Sequence, residues 1–313
     1  MAAVIVGSRA SRLARAQVRE WIALMRRQFP NVEFKQRTIL EGGDKDRKTP
    51  TLAQVARSSG GSAFSTRQEA ALLTGEVDVI VHSLKDLPTA MPEGLALMPT
   101  PGRRQDPRDT LCGNTLQGLP KGARVGTGAP RRIGQLLAVR PDLEMVPIRG
   151  NVPPRLARAS GPGALDAVVL AAAGLNRLGL DSHISEHLPL DVFPPSPGQA
   201  ALGIQVRKDS EIAKLLVDTG NAIVDAEVRA ERSMLAELHG GCSVPIGAFG
   251  KAHPDGTLTL SAQVSAVDGS RHVTAHCSGS VRDPEGLGRR VADELLTKGA
   301  EAILAAIRPE IIR

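Results

Sequence analysis

Two side chains in this sequence combine a reactive group with a setting that favours chemistry, and Cys242 is the first. It follows two glycines on the short turn His239–Gly247, directly after a predicted long helix. A thiol that faces positive charge in a cleft loses its proton readily, and the thiolate can act as a nucleophile or as an attachment point. A small buried residue in a tight turn is the alternative, and the residues alone leave both open.

Asp86 is the second such side chain. It lies in the stretch 81–88, VHSLKDLP, which follows the mainly apolar run 77–81, VDVIV. Such a run is typical of a strand buried on both faces of a parallel sheet, so Lys85 and Asp86 should emerge at its carboxyl end. In a closed cleft a carboxylate beside a lysine stays ionised, stabilises a cation and can exchange a proton. A surface turn with Asp86 as a cap or salt-bridge partner is the alternative.

Arginines recur on the loops that follow the other predicted strands. Arg131 and Arg132 open a helix after a glycine-containing loop, where the helix N-terminus and the two guanidinium forks attract carboxylates. Because the sequence has neither a GxxxxGK[ST] nor a GxGxxG motif, a nucleotide is the weaker candidate. Singly each arginine could be a surface residue, but together they predict a basin for an anion with several carboxylates. The arginines concerned are Arg9, Arg131, Arg132, Arg149, Arg155 and Arg177.

The charge balance predicts an anionic partner. The 313-residue chain has 39 Lys and Arg against 33 Asp and Glu, and the basic residues are spread over separate loops. That distribution suits carboxylates converging in a cleft better than a nucleic-acid backbone. With five Phe, one Trp and no Tyr, the chain also has few of the aromatic side chains on which single-stranded nucleic acids stack. We therefore expect a small-molecule substrate and no nucleic acid.

Several other classes of protein are disfavoured. Three widely spaced cysteines without a Cys-x-x-Cys pair argue against a disulfide framework and for the cytoplasm. No apolar run reaches the roughly 18 residues of a membrane span, and the N-terminal run is too short for a signal peptide. His272 and His276 share one face of a predicted strand but stand about 13 Å apart at ~3.3 Å per residue, too far to bind one ion. We expect no membrane association and assign no metal.

Predicted strands and helices alternate in two series, the pattern of α/β domains. The first series opens with a strand at 3–6 and a helix over 8–29, and proline-rich breaks at 98–107 and 193–198 follow the two series. After residue 221 a helix, alternating strands and a final helix over 286–307 indicate a small α+β domain. We predict two α/β lobes around a central cleft and a third, C-terminal domain. The predicted bounds are 1–98 with 201–219, 103–194, and 222–313.

Seven motifs, taken in order, resemble the porphobilinogen deaminase family, whose members are also called hydroxymethylbilane synthases. They are HSLKDLP (82–88), DPRD (106–109), APRRxxQL (129–136), RGNVxxR (149–155), AAAGLNRLGL (171–180), PGQAALGI (197–204) and GGCSVPIGA (240–248). The likeness runs from Gly7 to the final helix and so covers essentially the whole chain.

The resemblance implies a fold and a reaction. The two lobes would be like those of type II periplasmic binding proteins, and the third domain would carry Cys242. The family condenses four porphobilinogen molecules head to tail into linear hydroxymethylbilane and releases ammonia, a step of heme and porphyrin biosynthesis. Its primer, the cofactor dipyrromethane, is held by a thioether to the cysteine that matches Cys242. The family also suggests a monomer.

The resemblance assigns roles to individual residues as well. Asp86 matches the catalytic carboxylate, which stabilises the cation formed when ammonia leaves. The residues that match cofactor-binding positions, besides Cys242, are Lys85, Asp86, Thr127, Arg131 and Arg132. Those that match substrate-binding positions are Arg9, Ser11, Phe64, Arg149, Arg155 and Arg177.

The chain departs from the family pattern at positions that belong to the expected site. The loop 57–67 keeps Phe64 but lacks the usual lysines, 128–130 loses two serines, Pro154 replaces a threonine, and Gln205 replaces a glutamate. These changes raise two alternatives: a paralogue that runs a shorter or different pyrrole condensation, and a non-catalytic binding protein for an anionic small molecule. Simple binding needs neither the aspartate nor the tether cysteine, which argues against the second.

Overall fold

The computed structural model describes residues 3–40, 66–239 and 244–312, with side chains through residue 307. The chain divides into two compact units. We name them the first unit, Met1–Gln105 with Ala201–Asp225, and the second unit, Asp106–Ala200 with Ala226–Arg313. Within the described ranges, no helix is both long enough and apolar enough to cross a bilayer.

Three sheets and the helices around them make up the described residues, which confirms the predicted α/β class with a small C-terminal sheet domain. The strands are β1 (Val4–Arg9), β2 (Phe34–Ile39), β3 (Val79–Ser83), β4 (Leu95–Met98), β5 (Asp109–Cys112), β6 (Arg124–Gly126), β7 (Glu144–Val146), β8 (Ala167–Ala171), β9 (Glu186–His187), β10 (Leu202–Arg207), β11 (Ile246–Ala252), β12 (Thr257–Ser265) and β13 (His272–Ser280). The helices are α1 (Arg12–Gln28), α2 (Thr66–Leu73), α3 (Pro130–Val139), α4 (Val152–Leu156), α5 (Ala172–Leu178), α6 (Glu211–Leu216), α7 (Ala222–Glu237), α8 (Pro284–Thr297) and α9 (Ala300–Ile312).

The first unit is built on a five-stranded sheet in the order β2-β1-β3-β10-β4. β1, β2 and β3 run parallel, whereas β10 lies antiparallel between β3 and β4. Side chains of α1 cover one face of the sheet and those of α2 the other, which is why residues 79–81 are all apolar. In this core Trp21 of α1 packs edge to face on Phe34 of β2, with ring centroids 5.6 Å apart.

Helix α1 begins at Arg12, four residues later than predicted. Ser8 and Arg9 continue β1 and pair with β2, so they are not available to the helix. The Ser11 hydroxyl then accepts a hydrogen bond from the Ala14 backbone N–H at 3.1 Å. Such an N-cap satisfies one of the donors that the first turn of a helix leaves without a partner.

The second unit contains a five-stranded sheet in the order β7-β6-β8-β5-β9. β6 is parallel to β7 and β8, and β5 is antiparallel to β8 and β9. Leu136 of α3 packs on one face of this sheet, and Leu175 of α5 packs on the other. Both faces are therefore buried, as in the first unit.

The same unit contains the antiparallel sheet β11-β12-β13, which packs against α7, α8 and α9. The prediction of a single final helix over 286–307 is wrong. Gly299, with φ of +95°, separates α8 from α9. Because that backbone conformation is open to glycine and strained for other residues, the helix ends there.

Two glycines bring the two sheets of the second unit close together. A Cβ on Gly134 of α3 would lie 2.4 Å from the carbonyl oxygen of Ala266, and one on Gly247 of β11 would lie 2.3 Å from that of Pro194. Real Cβ atoms do not approach an oxygen so closely, so no larger residue fits without movement of the backbone. Residues 106–200 and 226–313 accordingly form one compact unit. The predicted bounds of three domains stay a prediction.

Two glutamates of α7 satisfy the outer edge of β11. Glu231 is fully buried; its Oε1 accepts from the Gly250 N–H at 2.8 Å and its Oε2 from the Gly198 N–H at 2.7 Å. One turn earlier, Glu227 accepts from the Ala252 N–H at 3.1 Å. Alternate N–H groups of an edge strand point away from the sheet, and these carboxylates take the place of a further strand.

Glu231→Gln should destabilise the second unit. The amide keeps one acceptor oxygen but turns an NH₂ group toward a backbone N–H, so a buried donor loses its partner at a cost of about 1–3 kcal/mol in the free energy of unfolding. Urea unfolding followed by far-ultraviolet circular dichroism measures this. Glu237→Gln, on the exposed side of the same helix, is the control and should change stability by less than about 0.5 kcal/mol. Equal stability of the two variants would contradict the assignment.

Candidate functional site

In the first unit, Arg9 and Asp86 lie at the same edge of the sheet. Arg9 is the last residue of β1, and Asp86 ends the 3₁₀ turn Leu84–Asp86 that follows the adjacent parallel strand β3. Leu84 and Leu87 are buried on either side of Lys85 and Asp86, and they anchor the turn. Asp86 therefore lies at the carboxyl end of β3, where the sequence predicts it, and its side chain is only partly buried.

His82, which sequence reasoning did not single out, lies four residues before Asp86. Its Nε2 is 3.0 Å from Oε1 of Gln205, whose Nε2 donates to Oε1 of Glu69 at 3.3 Å. Since the Gln205 oxygen only accepts, this arrangement selects the His82 tautomer with the proton on Nε2. The pKa of His82 is lowered to about 4: burial is the main cause, the charge of Arg9 acts in the same direction, and the hydrogen bond to Gln205 opposes them. His82 is therefore neutral at neutral pH.

In the second unit, Arg131 and Arg132 lie in the first turn of α3, but their guanidinium groups have a partner inside the protein. Arg131 Nη2 lies 2.7 Å from Oδ2 of Asp109, and Arg132 Nη2 lies 2.7 Å from Oδ1. All three side chains are more than nine-tenths buried. The partners are 22 and 23 residues apart in sequence, so no local pattern signals the pairing. The predicted role of both arginines in cofactor binding stays a prediction.

Thr127 stands on the loop between β6 and α3. It is buried, its N–H donates to the Val146 carbonyl at 3.0 Å, and its Oγ1 accepts from the Ala129 N–H at 3.3 Å. The hydroxyl thus helps to shape the start of α3, where the usual serines are missing. Its own proton is still available to an acceptor, because a hydroxyl both accepts and donates.

The three other predicted arginines of the second unit are partly buried and differ in their contacts. Nη1 of Arg149 is buried without a hydrogen-bond partner among the described residues. Arg177 donates from Nη2 to the Ala200 carbonyl at 3.0 Å, and Arg155 lies in the last turn of the short helix α4. A buried guanidinium donor without an acceptor is unfavourable, so Arg149 has the capacity to bind a ligand carboxylate.

Two predicted residues, Cys242 and Phe64, lie outside the described residues, as does most of the loop 57–67. Ser11, predicted to bind substrate, is partly buried and serves as the N-cap of α1. In the ranges that the structure describes, no group of three or more His, Cys, Asp or Glu is arranged to hold a metal ion.

Known proteins resemble the chain over nearly its full length. Residues 4–214 match the family described as porphobilinogen deaminase, dipyromethane cofactor binding domain, and residues 226–297 match porphobilinogen deaminase, C-terminal domain. The porphobilinogen deaminase of Geobacter sulfurreducens is 45% identical over 306 residues, which cover 96% of this chain and 94% of that protein. The one from Desulforudis audaxviator is 44% identical over 311 residues, which cover 97% and 98%.

Solved structures resemble the chain less closely. A nutrient binding protein from Burkholderia cenocepacia bound to methionine has a TM-score of 0.41 and 14% identity, and the match covers 69% of this chain and 90% of that one. A likeness at this level carries no argument about the site.

Gln205→Glu should raise the pKa of His82. A carboxylate about 3 Å from Nε2 stabilises the imidazolium, which moves the pKa from about 4 into the range of about 5–7. A pH titration of the His82 ring signals by NMR measures the change. Gln205→Leu removes the hydrogen bond without adding charge and should keep the pKa at or below its present value. Equal His82 pKa values in Gln205→Glu and Gln205→Leu would contradict a contact between residue 205 and the His82 ring.

Proposed function

The chain belongs to the porphobilinogen deaminase family, and from this premise we propose how its residues divide the work of the reaction. It is a transferase that condenses four porphobilinogen molecules into hydroxymethylbilane with release of ammonia. Its cofactor is dipyrromethane. The observation that carries this conclusion is the match of both family domains, in order, along nearly the whole chain.

The described residues fit a cofactor that bears carboxylates. Nε of Arg132 is buried without a hydrogen-bond partner among the described residues, in the first turn of a helix. Such a donor is satisfied by an anionic oxygen. When attached through Cys242, dipyrromethane supplies the pyrrole to which the first porphobilinogen is joined. The residues that we propose to hold it are Cys242, Lys85, Asp86, Thr127, Arg131 and Arg132.

Asp86 is the proposed catalytic residue. Loss of ammonia from porphobilinogen leaves a cation, and a carboxylate fixed close to it lowers the energy of the transition state. The 3₁₀ turn after β3 holds the Asp86 backbone between two buried leucines, so the carboxylate needs little reorganisation. The same carboxylate can receive the proton that the pyrrole gives up when the new carbon–carbon bond forms.

The substrate-binding residues are proposed to hold the acetate and propionate groups of porphobilinogen. Arg149 supports this, because its buried Nη1 has no partner among the described residues. A growing chain gains two carboxylates with each ring, and fixed guanidinium groups bind carboxylates with two parallel hydrogen bonds. The full proposed set is Arg9, Ser11, Phe64, Arg149, Arg155 and Arg177.

Other features of the enzyme are part of the proposal. We propose that it is a monomer and works in the cytoplasm, in agreement with its cysteine content. Its proposed domains are residues 1–98 with 201–219, residues 103–194, and residues 222–313. Porphobilinogen is its small-molecule partner.

Mass spectrometry tests the function. The purified protein should carry the added mass of a dipyrromethane on the peptide that contains Cys242, and it should convert porphobilinogen into a product with four rings. Cys242→Ser should lose the added mass, whereas Cys277→Ser should keep it. Cys277 is the control because its thiol donates a hydrogen bond to Glu294 and has no proposed role in holding the cofactor. A product with three or fewer rings would favour the paralogue. An unmodified wild-type chain that leaves porphobilinogen unconsumed would overturn the proposal.

Asp86→Asn should keep the cofactor and largely stop turnover. The amide occupies the same space but carries no charge, and removal of one electrostatic contact to a transition state typically lowers kcat about 10²–10³-fold. Intact mass gives the cofactor content, and the rate of porphobilinogen consumption gives turnover. The control is Asp218→Asn, an exposed aspartate of the same unit, which should have normal rates. A normal rate in Asp86→Asn would remove its assigned role.

A further inference from the structure

Asp109 and Gln199 contact one another beside the Arg131–Arg132 pair, and neither has a role in the scheme above. Gln199 is buried and donates from Nε2 to Asp109 Oδ1 at 2.9 Å and to the Pro107 carbonyl oxygen at 2.6 Å. The Asp109 carboxylate thus accepts from two guanidinium groups and one amide. Three donors from different directions fix the plane of the carboxylate.

Asp109 also sets the net charge of this cluster. Burial by itself would raise the pKa of Asp109, but the charges of Arg131 and Arg132, with the hydrogen bonds from Arg132 and Gln199, bring it well below its ordinary value. The carboxylate is therefore ionised at neutral pH. Two guanidinium cations against one carboxylate leave one positive charge in excess, where burial weakens screening by water. One bound anionic group would neutralise this excess charge.

Hydrogen bonds within the protein occupy both Nη atoms of Arg132 and leave its Nε–H without an acceptor among the described residues. Besides Asp109, Arg131 Nη1 donates to Gln135 at 2.9 Å and to the Pro194 carbonyl at 3.0 Å, and Arg132 Nη1 donates to the Val169 carbonyl at 2.9 Å. Nε of Arg132 has no partner in the part of the chain that the structure describes. Because a guanidinium group is planar and rigid, bonds to both Nη atoms determine where the Nε–H points.

Gln199 is held in turn by its two neighbours in the chain. The Gly198 N–H donates to the buried Glu231 carboxylate at 2.7 Å, and the Ala200 carbonyl accepts from Arg177 at 3.0 Å. Ala200 has a φ of +75°, a conformation that residues other than glycine adopt infrequently. Such strain persists only where the surrounding contacts hold the backbone in place.

We propose that Asp109 and Gln199 are positioning residues: Asp109 orients Arg131 and Arg132 and limits their excess charge, Gln199 holds Asp109, and the Arg132 Nε–H is thereby presented to a carboxylate of the cofactor. The inference rests on the proposed function, since it takes that carboxylate as the anion. Neither residue contacts the reacting atoms in this scheme, because both act through the arginines.

Gln199→Leu tests the proposal, and Gln263→Leu is its matched control. Gln263 is also buried in the second unit, but it bonds to Gln135 and not to Asp109. Both variants remove a buried hydrogen bond and should lower stability to urea by similar amounts. Only Gln199→Leu should shift the Arg132 Nε–Hε resonance in the NMR spectrum. It should also lower the fraction of protein that carries dipyrromethane about ten-fold, as measured by intact mass, because the arginine is displaced.

Asp109→Asn is the second variant. It keeps the shape of the side chain but removes the charge that both arginines need, and it should reduce cofactor loading further than Gln199→Leu does. If it does not fold, Gln199→Leu decides alone. The proposal is overturned if Gln199→Leu leaves the resonance and the loading unchanged, or if Gln263→Leu alters both equally. If the wild-type protein carries no dipyrromethane, the proposed function fails, and the Arg132 resonance, which needs no cofactor, decides the positioning role.

Discussion

Burial of two guanidinium groups around one carboxylate is the interaction on which the second unit depends. Arg131, Arg132 and Asp109 come from helix α3 and strand β5, and removal of Asp109 would leave two buried cations without a counter-charge. The cluster therefore fixes the position of α3 relative to β5. Through Gln199 the cluster also holds the segment 198–200. In this segment the Gly198 N–H donates a hydrogen bond to the buried carboxylate of Glu231 in α7. This pairing adds to the apolar contact between the two elements, since Leu136 of α3 and Leu111 of β5 belong to the same buried cluster.

The two aspartates occupy different environments, which suit the different roles that we propose for them. Asp109 is buried, accepts side-chain hydrogen bonds and is fully committed within the protein. Asp86 is only partly buried and stands at the carboxyl end of a parallel strand, where parallel α/β sheets bind their ligands. A carboxylate must face the substrate to act on it, whereas one that orients other groups must be enclosed.

The sequence was sufficient where local pattern controls the structure. The strand before Asp86 follows from its run of apolar residues, and the turn that carries Lys85 and Asp86 follows from the end of that strand. The break at Gly299 was missed, because apolar residues recur at helical spacing on both sides of it and one glycine does not end every helix.

The pairing of Asp109 and the environment of His82 could not be predicted, for a different reason. The partners of Asp109 are 22, 23 and 90 residues away, and Gln205 is 123 residues from His82. Only the completed sheets bring them together. The seven family motifs supply the candidate site residues, but a motif assigns no hydrogen bond. Whether an arginine faces a ligand or an internal carboxylate depends on tertiary contacts.

Trp21, which packs on Phe34 in the core of the first unit, has a practical consequence. It is the single tryptophan of the chain, and there is no tyrosine. Fluorescence emission therefore reports on the first unit alone, whereas circular dichroism reports on the helices and strands of both units. The chain thus carries a built-in probe of cooperativity: coincident transitions in the two signals mean that the units unfold together, and separate transitions mean that each is stable by itself.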